Sequence, residues 1–259
     1  MTRSSPIAWR CLCLFLLSCS FAFVRPVHAA DLVDTDRDGL PDIWETKVFH
    51  TDPANADTDH DGFNDREEIV GGYNPLKAGN KFKLKETDYD KDGLSDRLEL
   101  LFGTDPMEPD TNHNGFKDGA EVWDGFSPTS TTPEALQKSI KIVLKGQRLE
   151  QRVAGVVIAT YPVSTGKAST PTPVGDYKIL QKTPKAWSRM AGLWMPYWMG
   201  FTGKGHGIHE LPVWPSGYRE GTWHLGIPVS HGCVRLGIGP AKKLYDWAPV
   251  GTPVTVAKL

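Results

Sequence analysis

Two sets of residues in this 259-residue chain have types and spacings suited to chemistry. The first is the run Val229-Ser230-His231-Gly232-Cys233-Val234-Arg235-Leu236. Of the chain's 4 cysteines, Cys11, Cys13 and Cys19 lie near the start, so Cys233 stands alone in the rest. A leftover cysteine is either a small buried apolar residue or a reactive thiol, and spacing alone leaves both open. The preceding histidine and glycine favour exposed chemistry, because glycine lets the backbone approach a substrate closely. A thiol nucleophile needs a base to take its proton, and His206, His209, His224 and His231 are the nearby candidates. Backbone N–H groups around His231, Gly232 and Cys233 could receive an oxyanion, and Arg235 suits either a substrate carboxylate or support of the loop.

The second set is a repeat of oxygen-bearing side chains. Asp34, Asp36, Asp38, Asp42 and Glu45 occupy the first, third, fifth, ninth and twelfth places of one frame, with glycine at the sixth. The frame recurs as Asp57, Asp59, Asp61, Asp65 and Glu68, then as Asp88, Asp90, Asp92, Asp96 and Glu99. A fourth copy reads Asp110, Asn112, Asn114, Asp118 and Glu121. Alternate side chains of a tight loop converge on one point, the glycine permits the bend, and the last glutamate can bind through both oxygens. This is the chemistry of Ca²⁺, as a structural ion, and a solvated acidic tract would not keep four copies in register. The fourth copy, with two amides in place of carboxylates, is expected to hold the ion most weakly.

The first set also carries a resemblance. Ser230-His231-Gly232-Cys233-Val234-Arg235-Leu236 resembles the signature of the L,D-transpeptidase (YkuD-type) catalytic domain. Upstream and in order, Tyr161 to Lys167 followed by Thr170 to Tyr177 is similar to its early strand and glycine-proline turn, and Gly207-Ile208-His209 to the segment carrying its base. The resemblance covers about the last half of the chain, and the stretch of roughly 20 residues between His209 and Ser230 is longer than the family pattern. It implies Cys233 as nucleophile and His209 as base, with Ser230, His231, Gly232 and Arg235 supporting the site. Cys233 would take the acyl group of a peptidoglycan stem peptide as a thioester and pass it to an amine, cross-linking the wall or attaching a protein to it; no cofactor is needed. Hydrolysis on the same cysteine (an L,D-carboxypeptidase or endopeptidase) and non-catalytic, calcium-dependent wall binding are the alternatives. The acidic loops resemble bacterial thrombospondin type-3-like repeats, and share their spacing with EF-hand modules.

Around these sets the chain divides by composition. Residues 1–29 read as an export signal, with Arg3 and Arg10 before an apolar run and Val27-His28-Ala29 as cleavage site. Leu16 to Cys19 also fits a lipoprotein box with Cys19 lipidated, although apolar residues continue beyond it. Arg25-Pro26 ends the run too early for a membrane span, so the mature chain is expected in the periplasm or envelope.

The net charge of −2 hides a strong asymmetry: about 25 acids against 10 bases from Asp31 to Ser130, and about 6 against 16 from Thr131 onward. For an exported protein the basic half points to the anionic wall, not to nucleic acid. The fold class expected is a small α-rich repeat domain (31–126), a Ser/Thr/Pro linker (127–138) and a mostly β catalytic domain (139–259). The repeats are a possible docking point for an envelope protein. Ile140, Ile142 and Leu144 alternate with lysines as in a half-buried strand, and residues 151–161 read as a second. Trp187, Trp194, Tyr197, Trp198, Phe201, Trp214 and Trp223 crowd the segment before the nucleophile; packing accounts for them more simply than a glycan-stacking groove.

Overall fold

The structure, a computed structural model, describes residues 32–258. The export segment, with Cys11, Cys13 and Cys19, lies outside the described residues. Among the described residues, no helix is long and apolar enough to cross a membrane.

Each acidic loop leads into a short helix that starts at the ninth-place aspartate: α1 (Asp42–Trp44, continued by a π-helical turn Glu45–Phe49), α2 (Asp65–Gly71), α3 (Asp96–Phe102) and α4 (Asp118–Asp124). Seven residues cannot hold a helix in water unaided, so these depend on their caps and on packing. Gly72, Gly103 and Gly125 end α2, α3 and α4 in the left-handed region (φ 77°, 77° and 80°). The packing comes in two clusters. Leu40, Trp44, Val48, Phe49, Ile69 and Leu100 form the first, within the repeats.

The second cluster crosses into the other half. Leu94, Leu98 and Val122 of the last two repeats bury together with Val153 and Ile158 of the β domain, with Trp123 and Trp247 against them. Trp247 Nε1 donates to Trp123 O at 2.8 Å. Residues 127–138, expected as a linker, are tied down as well. Ser127 N donates to Glu134 O (2.9 Å), Leu136 N donates to Gly125 O (2.8 Å), and Leu136 packs against the shared cluster.

The β domain, as described, is one nine-stranded sheet. Its strands are β1 (Lys138–Val143), β2 (Arg148–Val153), β3 (Val156–Ser164), β4 (Gly175–Lys178), β5 (Gln181–Ser188), β6 (Leu193–Gly200), β7 (Gly207–Glu210), β8 (Val234–Leu236) and β9 (Pro253–Ala257). They run β4-β9-β1-β2-β3-β8-β7-β6-β5 across the sheet, antiparallel except for the β1–β9 and β7–β8 pairs. Its core includes Ile140, Ile142, Leu149, Val163, Met199, Phe201, Ile208, Val234 and Leu236. Ala241 and Leu244 of α5 (Pro240–Trp247) pack into the same core.

The stretch 151–161, expected as one strand, is broken by a turn. Ala154 and Gly155 both take positive φ (49° and 82°), the conformation of a two-residue hairpin whose twist matches its strands. Ala154 gives no sequence signal for such a turn.

Candidate active site and acidic loops

The sheet places the chemistry-bearing residues by register. β7 and β8 are parallel, with Ile208 opposite Val234 and His209 opposite Arg235. Side chains alternate along strands, so Cys233, two residues before Arg235, shares the sheet face with Arg235 and His209. All three line one cavity of about 480 Å³, with His206, Ser230, His231 and Lys204. Ser188, Met190, Ala191, Leu193 and Met195, from the tip of the β5–β6 hairpin, form another wall. Cys233 is only partly buried, so the thiol is reachable.

His209 is 2 % exposed, and its Nδ1 lies 2.6 Å from Glu210 O. Facing a carbonyl oxygen, Nδ1 must carry the proton, which leaves Nε2 as the acceptor. Burial, with the Arg235 charge acting the same way and the Glu210 carbonyl opposing, brings the His209 pKa down to about 4, so the ring is neutral at pH 7. Burial also raises the Cys233 thiol above its usual value, while the Gly207 N–H and the Arg235 charge oppose that rise. The resting pair is therefore neutral thiol and neutral imidazole.

Two glycines make this geometry possible. Gly232 has φ 105°, and a Cβ there would meet His206 Cδ2 at 2.6 Å. At Gly207 a Cβ would run into the Trp198 ring at 2.5 Å, the same ring that stacks on His209 (centroids 5.9 Å, interplanar 29°). Trp198 and Phe201 are thus core residues, as the packing reading expects, whereas Trp187 and Trp223 are exposed.

Ser230 is fully buried; its Oγ donates to Cys233 O (2.6 Å) and accepts from Gly232 N (3.1 Å). It shapes the nucleophile loop and takes the Gly232 N–H out of the expected oxyanion set. His231 is exposed at the mouth of the cavity. His206, another of the candidate histidines, lines the cavity, with Thr202 Oγ1 3.0 Å from its Nδ1.

The long stretch between His209 and Ser230 supplies a residue that sequence reasoning missed. Glu220, 6 % exposed, accepts from Arg235 Nη1 at 2.7 Å, and His224 Nδ1 lies 2.9 Å from the same oxygen. One residue earlier, Arg219 pairs with the buried Glu210. The inserted segment is thereby pinned to both central strands, and Arg235 is held by the loop while facing the cavity. The unusual length of the segment was the only available signal.

The acidic loops share one backbone design. Both oxygens of each first-place aspartate accept backbone N–H groups of its own loop, as Asp34 does from Arg37 and Gly39. The third-place Oδ1 accepts from the fifth residue and the fifth-place Oδ1 from the seventh, as at Asp36 and Asp38. In the first three loops the oxygens of Asp34, Asp36 and Asp38, of Asp57, Asp59 and Asp61, and of Asp88, Asp90 and Asp92 fall within 4.8 Å of one another. Asp36 Oδ2, Asp59 Oδ2 and Asp90 Oδ2, and Glu45 Oε2, Glu68 Oε2 and Glu99 Oε2, are buried with no hydrogen-bond partner.

Burial and neighbouring carboxylates raise Glu45, Glu68 and Asp90 to about 7 and Glu99 to about 10. Unpaired acceptors crowded in this way fit a hard, oxygen-seeking cation. Of the ninth-place aspartates, expected among the ligands, Asp42, Asp65 and Asp118 each accept both the N–H and the hydroxyl of the second-place threonine, whereas Asp96 accepts Tyr89 N through Oδ1 and keeps a buried Oδ2 with no partner.

Residues 137–256 match the family profile described as the L,D-transpeptidase catalytic domain (YkuD). Residues 34–56, 57–78 and 88–109 match that of the bacterial TSP3 repeat. A YkuD protein of Bacillus licheniformis, named as an L,D-transpeptidase, is 28 % identical over 141 residues, covering 53 % of this chain and 78 % of its own. L,D-transpeptidase 1 of Mycobacterium tuberculosis is 33 % identical over 116 residues, covering 39 % and 43 %. An L,D-transpeptidase structure from Mycobacterium smegmatis overlaps 49 % of this chain and 63 % of that one, at 25 % identity and a TM-score of 0.41. Residues 137–256 thus carry the profile of the YkuD-type L,D-transpeptidase catalytic domain, and the three stretches before them that of the bacterial TSP3 repeat.

Proposed function

We propose that the cavity carries out cysteine-dependent L,D-transpeptidation of peptidoglycan stem peptides. The observation that carries this reading is the placement of Cys233, the one thiol among the described residues, in the same cavity as a buried, neutral histidine whose proton is fixed on Nδ1. Because thiol and imidazole both rest neutral, the proton moves as the sulfur attacks, not before. Cys233 Sγ bonds to the carbonyl carbon of the diamino acid in a tetrapeptide stem, and His209 Nε2 takes the thiol proton. The C–N bond to the terminal D-alanine breaks, and His209 returns that proton to the departing amine. The thioester then passes to an amine of a second stem, with Cys233 regaining its proton. The N–H groups of His231 and Cys233 are the candidates to receive the oxyanion, since Gly232 N–H is engaged by Ser230. Arg235, anchored by Glu220, presents fixed positive charge to the same cavity.

In the repeats, the third- and fifth-place aspartates and the twelfth-place glutamates of the first three loops would hold Ca²⁺, joined by the first-place aspartate. The ion supplies positive charge that lets these carboxylates pack; catalysis needs no cofactor. The chain is taken to act after export, in the envelope, where its substrate lies.

Mass spectrometry of tetrapeptide muropeptides incubated with the full chain in calcium tests this. Dimers lacking one D-alanine are expected, and Cys233→Ala should remove them. Tripeptide without dimers would make the enzyme a hydrolase, and unchanged substrate with folded, calcium-loaded protein would leave a binding role.

A further inference from the structure

The fourth loop has the same backbone as the other three but the opposite side-chain polarity at its centre. Asp110 accepts from Asn114 N and Gly115 N, Asn112 Oδ1 accepts from Asn114 N (2.9 Å), and Asn114 Oδ1 accepts from Phe116 N (2.8 Å), as the matching aspartate oxygens do elsewhere. With those oxygens fixed by backbone donors, each amide must point its NH₂ where a carboxylate would point its second oxygen.

At Asn112 that NH₂ meets only acceptors: Glu121 Oε2 at 3.1 Å, Pro128 O at 2.8 Å and Ser130 O at 3.0 Å. Asn114 Nδ2 donates to Glu121 Oε1 at 2.8 Å. Both oxygens of Glu121 are thus satisfied by amide donors. Its counterparts Glu45, Glu68 and Glu99 each keep a buried oxygen with no partner.

We propose that the fourth loop binds no divalent cation, its two asparagine amides taking the cation's place, and that it acts as a metal-independent clasp joining the repeats to the catalytic domain. An ion there would face two NH₂ groups where it needs oxygens. Turning Asn112 round would break its bonds to Glu121 and to the 127–133 segment together. Two carboxylates, Asp110 and Glu121, would remain for the ion, against four in each other loop, and affinity follows ligand charge.

The clasp is also placed where a joint is needed. Asn112 holds the chain just as it leaves the repeats, and the helix that carries Glu121 carries Val122 and Trp123, which pack on the β domain. Among the described residues, one ion is therefore expected in each of the three acidic triads and none in the fourth loop.

This inference rests on the calcium reading above, and one titration separates the two. Native mass spectrometry of the full chain in excess Ca²⁺ is expected to show three ions. Four would overturn the clasp while leaving calcium binding intact, and none would overturn the calcium reading itself. Asn112→Asp with Asn114→Asp is expected to add one ion, and to lower the chelator-treated protein's melting temperature, since two donors become repelling carboxylates. An unchanged count in the folded variant would show that the amides are not what excludes the ion. If that variant fails to fold, Glu121→Gln serves: it should leave the count at the wild-type value, where Glu68→Gln lowers it by one, and a drop with Glu121→Gln would overturn the proposal.

Discussion

Both halves of the molecule bury carboxylates, but they do so on opposite terms. In the catalytic domain each comes with a cation from the chain: Glu220 with Arg235, Glu210 with Arg219, Glu150 with Arg148 and Arg152. In the first three repeats Glu45, Glu68 and Glu99 are buried with an oxygen left over, and the nearest charges are other carboxylates. A buried charge without a partner shifts its pKa or recruits a counter-ion. One half thus pairs each buried carboxylate with a cation of its own chain, even Glu220, whose Oε2 has no hydrogen-bond partner, whereas the other has only carboxylates to set against its charges. Between them lies the fourth loop, whose carboxylate is buried among amide donors.

The largest expected effect lies outside the ion pairs. Cys233→Ala should abolish acyl transfer, read as dimer formation by mass spectrometry, while the melting temperature in calcium stays put, because the side chain is only partly buried and pairs with no charge. Glu220→Gln tests the paired half. It leaves the Arg235 guanidinium largely buried without its partner, a change that costs about 3 kcal/mol in comparable settings. Chemical denaturation in calcium measures it, and transfer activity should fall with it as Arg235 loses its anchor.

The unpaired half should respond in the opposite sense to the same kind of substitution. Glu99 is fully buried, and burial first, then four surrounding carboxylates, raise its pKa to about 10 without a cation. Glu99→Gln should therefore be nearly neutral in chelator and markedly destabilising in calcium, so the melting-temperature gain on adding calcium shrinks. An equal loss in both conditions would mean that Glu99 is paired after all, and the contrast between the halves would fall.

Much of this was legible in the sequence, for reasons that differ by region. The acidic frames could be read because a coordination loop writes its ligands at fixed offsets; Asp34, Asp36 and Asp38 converge as the spacing demands. The hydrogen bonds of Asp42 and Asp65 could not, because offset says nothing about which way a side chain turns, and a threonine at the second place takes their oxygens. In the catalytic half, Cys233 and His209 were named from a local run each, and strand register brings them together. Glu220 had no such mark: its partner lies on β8, 15 positions away, and the pairing exists only once the inserted segment folds back. The joint between the halves was invisible for the same reason, since Val122, Val153 and Trp247 are ordinary apolar residues until the sheet assembles them.

The histidine offers a pH test of the paired half. His209 has a folded pKa of about 4, below the ordinary 6.5, so the folded protein binds fewer protons than the unfolded chain between those values. Its contribution to stability is full above pH 6.5 and is lost as pH falls toward 4. Activity that depends on neutral His209 should likewise persist below pH 6, and alkylation of Cys233 should accelerate only at a pH above the usual thiol range. A transfer rate that halves near pH 6.5 would show that His209 is not the base.

The smallest effect is expected where pairing is least needed. Glu150 sits under two arginines, Arg148 at 3.1 Å and Arg152 at 2.9 Å, whose side chains are 46 % and 28 % exposed. Water can solvate both guanidinium groups when the carboxylate goes, so Glu150→Gln should cost under about 1 kcal/mol and be largely insensitive to calcium. Denaturation curves with and without chelator measure both quantities. A loss as large as that of Glu220→Gln would show that the catalytic half, too, depends on charges its surface does not relieve.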